Sequence, residues 1–107
     1  MDFTLKKCVP CEGGTQPLKR DKIDEYKKAI NPEWEVIDDK SLKRRFRFPS
    51  FKSSIEFVNK VANLAEDEGH HPDITINYKK VTLELTTHAI DGLSENDFIM
   101  AAKLENL

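Results

Sequence analysis

The stretch Glu66-Asp67-Glu68-Gly69-His70-His71-Pro72 sets two of the chain's three histidines side by side, one glycine after three acids. The third, His88, closes a strand-like run downstream, and Asp97 lies where the last helix should begin. Imidazole titrates near neutral pH, so one side chain can deliver and recover a proton within a catalytic cycle. Three imidazoles near carboxylates suit proton transfer without a covalent step. The chain has no Gly-x-Ser-x-Gly elbow, and neither cysteine lies near a histidine in sequence, which argues against a nucleophile. Phosphate-cradling glycine signatures are missing as well. A lone histidine is more often a surface or capping residue; the adjacent pair before a proline brings the functional reading level with that ordinary one.

A metal centre is the rival use of the same residues, because three histidines and an acid can hold zinc or iron. Neighbouring side chains on an extended chain point to opposite sides, however, and no His-x-x-x-His pair marks a helix face. These features weigh against a metal or other cofactor, and a histidine-based metal site stays as the alternative use of the residues.

For these residues to meet, a helix must end at His70, a strand must return His88 and a second helix must present Asp97. The pattern supplies all three. Pro49-Ser50 opens a helix over Phe51 to about Glu68, with Phe51, Ile55, Val58, Ala62 and Ala65 at helical spacing and Phe57, Val61 and Leu64 beside them. So wide a stripe predicts the most buried helix of the chain, ended by Gly69 in the left-handed conformation. Three acids in its last turn sit where the helix dipole disfavours them. Ile74 to Tyr78 and Val81 to Leu85 alternate as strands with a reversal near Lys79-Lys80. Ser94 is the expected N-cap of the last helix, Asp97 stands at the capping-box position, and Leu93 can staple onto Phe98.

Upstream, Asp21 is the expected N-cap of a short helix carrying Ile23, Tyr26 and Ile30, which Asn31-Pro32 ends. Trp34 to Val36 and Leu42 to Phe48 alternate as two further strands around Asp38-Asp39-Lys40-Ser41. Arg44 interrupts the apolar side of the second. The basic run Lys43-Arg44-Arg45 we read as a solvated face or protected sheet edge rather than a nucleic-acid patch. The order helix, two strands, helix, two strands, helix predicts a two-layer α+β domain, with three helices on one face of a four-stranded antiparallel sheet. Residues 1–18 read as an N-terminal arm and 19–107 as the single domain.

The 107 residues suit one core. With 38% hydrophobic and 34% charged residues and a net charge of −2, nothing draws the chain to nucleic acid or an acidic membrane. No apolar run resembles a signal peptide or a membrane span, so a cytoplasmic protein is expected. In that reducing setting the Cys8-Val9-Pro10-Cys11 pair, without a second pair or a redox context, reads as incidental or weakly structural.

Fixed spacing makes the site residues specific. Glu66-x-x-x-His70-His71-Pro72, five residues, Tyr78, nine residues, His88, eight residues, Asp97 resembles the signature of the pterin-4a-carbinolamine dehydratase family. The predicted element order is similar to that family's. The resemblance implies dehydration of 4a-hydroxytetrahydropterin to the quinonoid dihydropterin, the step that regenerates the cofactor of aromatic amino acid hydroxylases. It implies no metal, and a homodimer or homotetramer. It casts His70 and His88 as acid–base candidates, His71 as a catalytic-pocket residue orienting the substrate, and Glu66, Asp97, Pro72 and Tyr78 as substrate-side residues. Gly69 and Asn96 depart from members that carry a polar residue and an arginine there, which bears on substrate affinity and tail preference. Some members also serve as dimerisation cofactors of a homeodomain transcription factor, so a non-catalytic oligomeric binding module is the alternative on the same fold.

Overall fold

The computed structural model describes residues 1–10 and 15–107; Cys11, half of the cysteine pair, lies outside the described residues. Three helices, α1 (Arg20–Lys27), α2 (Phe51–Glu68) and α3 (Glu95–Leu104), accompany four strands, β1 (Glu35–Ile37), β2 (Ser41–Arg47), β3 (Asp73–Asn77) and β4 (Lys80–Leu85). Single 3₁₀ turns form at Phe3–Leu5 and His88–Ile90. The strands make one antiparallel sheet in the order β1-β2-β4-β3, so each hairpin contributes one edge and one central strand. This is the α+β architecture expected from the pattern.

Period-2 alternation decides the sheet's two faces. Leu42, Val81, Leu83 and Leu85 are fully buried under the helices. The neighbouring positions Lys43, Arg45, Arg47, Thr82 and Glu84 line the other, open face. Arg44 belongs to the covered face. Its guanidinium lies 4.0 Å above the Phe46 ring and 3.0 Å from Glu105 Oε1, on the chain just past α3. Glu105 also accepts from Trp34 Nε1 and Asn31 Nδ2, each at 3.2 Å. A charge on the apolar side is thus paired, as burial demands, and the basic run is divided between two faces.

Helix α2 begins at Ser50, whose side chain accepts from Ser53 N at 3.0 Å. It ends at Gly69 with φ +66°. Its buried face is Ser54, Phe57, Val61 and Ala65, whereas Phe51 and Ala62 are exposed. Ser54 occupies an apolar setting by donating to Phe51 O and Tyr78 O, both at 2.7 Å. The most buried helix is α3 rather than α2: seven of its ten residues are buried. It lies between the sheet, α2 and the 3₁₀ turn of the arm, so solvent reaches little of it. Helix α1 starts two residues earlier than expected, with Lys19 rather than Asp21 at the N-cap position, and Asp21 falls in its first turn instead of capping it.

The arm joins the core. Phe3 is 1% exposed and packs its ring 5.2 Å from Tyr26 and 6.0 Å from Phe98. Farther along, Pro17 approaches Gly92 so closely that a Cβ there would stand 2.6 Å from its ring carbon, which leaves room only for glycine.

A candidate proton-transfer site

Three chain ends meet at one corner of the molecule. The first is the C-terminus of α2. The left-handed Gly69 stops the helix while its N–H and that of His70 both bond to Ala65 O, at 2.9 and 3.2 Å. The turn sends His70 inward and His71 outward. His70 Nε2 donates to Asp97 Oδ1 at 2.6 Å, with the histidine side chain 12% exposed and the aspartate fully buried. His71 Nε2 meets Glu66 Oε2 at 2.5 Å at the surface, back across the last turn of α2.

The second is the segment after β4. The strand stops at Leu85, and His88 opens a 3₁₀ turn rather than closing the strand. Thr87 N donates to Gly92 O and folds the loop back, which leaves His88 and Ala89 exposed. The third is the first turn of α3. Asp97 Oδ2 accepts Ser94 N at 3.0 Å, completing the capping box, and the Thr87 hydroxyl at 2.8 Å. One buried carboxylate therefore caps a helix and fixes a histidine ring. Thr87, which also meets Ser94 Oγ at 2.7 Å, had only its place beside His88 to signal it in the sequence.

These ends enclose an open cavity of about 280 Å³, lined by Val9, Pro10, Gly69, His70, His71, Thr86, Thr87, His88, Ala89 and Asn96. All three histidines reach it. Asp97 stands behind His70, and Glu66 is tied to it through His71. Pro72 fixes the chain between His71 and β3. Tyr78 stands apart: it occupies the turn at the far end of β3, 65% exposed, with its ring 6.4 Å from Phe51. A single chain does not bring it to the cavity. Among the described residues, no group of three or more His, Cys, Asp or Glu side chains is arranged to hold a metal ion.

Part of the wall comes from the N-terminal arm, through Val9 and Pro10. Glu68 Oε1 accepts Cys8 N at 2.9 Å while its Oε2 meets Lys103 Nζ at 2.7 Å. Burial pushes the Glu68 carboxyl up, but the Cys8 N–H and the Lys103 ammonium outweigh it and hold the group below its ordinary value. Burial first, and the nearby Glu68 charge second, push the Cys8 thiol up to about 12. Of the three acids crowded at the α2 C-terminus, two therefore have partners that offset the unfavourable helix dipole.

The fold and the site together define an α+β protein with a histidine–carboxylate pocket at the junction of two helices and a strand end. Residues 16–107 match the family model described as pterin 4 alpha carbinolamine dehydratase. A protein of Alkaliphilus metalliredigens, provisionally described as a pterin-4-alpha-carbinolamine dehydratase, is 49% identical over 94% of this chain and 90% of its own length. One of Rubrobacter xylanophilus with the same provisional description is 45% identical over 99% and 98%. Among solved structures, a transcriptional coactivator/pterin dehydratase from Brucella melitensis superimposes with a TM-score of 0.79 at 29% identity, covering 85% of this chain and 97% of that one. A pterin dehydratase-like protein identified as a RuBisCO assembly factor of the alpha-carboxysome does so with 0.60 at 25% identity, covering 69% and 87%. The chain belongs to the pterin 4 alpha carbinolamine dehydratase family.

Proposed function

We propose that the protein dehydrates a 4a-hydroxytetrahydropterin to the quinonoid dihydropterin, by general acid–base catalysis in tetrahydropterin recycling in the cytoplasm. The observation that carries this reading is the buried His70–Asp97 pair opening, with His71 and His88, onto one cavity. In the reaction the C4a–O bond breaks, the lone pair of the adjacent ring nitrogen forms the C=N bond, hydroxide leaves as water after receiving one proton, and the nitrogen loses one. No net proton is consumed, so histidines that give and then recover protons suffice. With Nε2–H of His70 engaged by Asp97, exchange with the substrate passes through Nδ1, the remaining ring nitrogen. His88, lining the same cavity, serves the second proton, and His71, steadied by Glu66, orients the ring. Such help is typically worth about 10²–10⁴-fold.

The test is the loss of 4a-hydroxypterin absorbance with chelator-treated recombinant protein. Acceleration over the spontaneous reaction, mostly abolished by His70→Ala with the circular dichroism spectrum intact, is the expected result. A rate equal to the spontaneous one removes the proposal.

Assembly into a homodimer or homotetramer belongs to the same proposal. Strand β3 is a sheet edge whose five residues are all exposed, and Ile74, Ile76, Tyr78 and Phe51 add apolar surface beside it. Such an edge invites pairing. A binding role on this fold gains support from the coactivator and assembly-factor descriptions of the two solved relatives; a biological phenotype untouched by His70→Ala would favour it over catalysis.

A further inference from the structure

We propose that the N-terminal arm is a substrate-positioning wall of the cavity: Val9 and Pro10 touch the bound bicyclic ring, and Glu68 and Asn96 hold them there. This rests on the dehydratase reading above. Val9 and Pro10 line the same cavity as the histidines, and Val9 is 64% exposed, a large apolar residue left uncovered beside them. Its position is held by the backbone on both sides. The Asn96 side chain accepts Val9 N at 3.0 Å and donates to Val9 O at 2.5 Å, imitating one rung of a sheet. One residue earlier, Cys8 N donates to Glu68, whose carboxylate is 5% exposed and also paired with Lys103. Upstream, Phe3 anchors the arm in the core. A tail without function would not need three anchors converging on the two residues that face the cavity. An apolar surface sharing one cavity with three imidazoles suits a flat heterobicycle, whose faces are apolar and whose edges are polar.

The wall acts on binding and leaves proton transfer to the histidines, so its loss should raise KM while kcat stays within about threefold. Val9→Gly and Asn96→Ala should each raise KM about tenfold, the scale of one or two lost contacts. Glu68→Ala should do the same and Glu68→Gln should recover part of it, because the amide oxygen can still accept Cys8 N. A purely structural role would not produce that split. Titration with the stable pterin 7,8-dihydrobiopterin should show the same weakening. Val9 is exposed, so Val9→Gly tests the wall even where an anchor variant unfolds. KM and pterin affinity within twofold of the parent in folded Val9→Gly overturn the wall, as does a fall in kcat at unchanged KM. A parent protein that binds the dihydropterin through the arm but does not dehydrate overturns the dehydratase reading and leaves the wall standing.

Discussion

Replacing Asp97 by asparagine separates its two uses. The carboxylate accepts on both oxygens: Oδ1 from His70, and Oδ2 from Ser94 N and the Thr87 hydroxyl. An amide must give one oxygen up for an NH2. Facing the cap, that NH2 would meet a backbone N–H and strand it in a fully buried place, at a cost of about 1–3 kcal/mol. Facing His70, it can donate to Nε2 if the imidazole shifts its own proton to Nδ1. The second arrangement is cheaper, so Asp97→Asn keeps the helix cap and inverts the tautomer of His70. Weakening one charge-assisted bond should lower stability by about 1 kcal/mol. Asp97→Ala, which strands the donors of Ser94, Thr87 and His70 together, should cost about 2–4 kcal/mol. In a stability of roughly 5–15 kcal/mol both variants stay folded. Dehydration should respond in a different order. An orienting carboxylate replaced by its amide can cost about 10⁴-fold when the wrong tautomer results, so both variants should lose at least about 100-fold in kcat. Urea denaturation followed by circular dichroism supplies the first quantity, and the 4a-hydroxypterin assay the second. Asp97→Asn with activity within threefold of the parent refutes the link, since the carboxylate would then serve only as a cap.

Other expectations concern the supports of the site. The Glu68 carboxyl is held below its ordinary 4.5, so its stabilising contribution is complete above that pH and disappears as pH falls through the lowered value; Glu68→Gln should flatten the acid limb of a stability–pH curve, and an unchanged limb argues against the Cys8 and Lys103 contacts. With its thiol near 12, Cys8 should resist iodoacetamide at pH 8 in the folded protein and react on unfolding, as peptide mass mapping would show. Gly69→Ala places a side chain at φ +66° and should destabilise by about 1–2 kcal/mol in the same urea experiment, although a Cβ there would meet open space; no change would mean that the turn relaxes.

Much of this site was legible because its parts are local. Ser50 and Gly69 punctuate α2, and Ser94 with Asp97 forms a capping box within one turn, so spacing alone located the ends that carry His70 and Asp97. Strand alternation told which side of β2 faces outward and flagged Arg44 as an intruder. Its partner Glu105 was not legible, because nothing local links them. The same holds for the arm: Phe3 and Cys8 are isolated signals until the tertiary fold brings Phe98, Glu68 and Asn96 beside them. The face of α2 misled for another reason. A stripe covering more than half of the helix does not say which part meets the sheet, and a buried serine, Ser54, decided it through two carbonyls. The double use of Asp97 was likewise hidden, since a cap and a histidine partner leave the same letter in the sequence.

The central pairing of β2 with β4 sets the order in which this site can come into being. Each hairpin closes over a few residues, an event of microseconds. The seam between them joins positions roughly 30 to 45 apart, such as Arg47 with Lys80 and Leu42 with Leu85, with all of α2 inside the loop. The β3–β4 hairpin, with Asp73 opposite Glu84, brings His70 and His88 to the same end of one fragment, but until the β2–β4 seam zips, α3 has no complete floor on which to lay Asp97. In a refolding experiment helical signal should return before dehydratase activity, with the delay reflecting how long the β2–β4 seam and the contacts laid on it take to form.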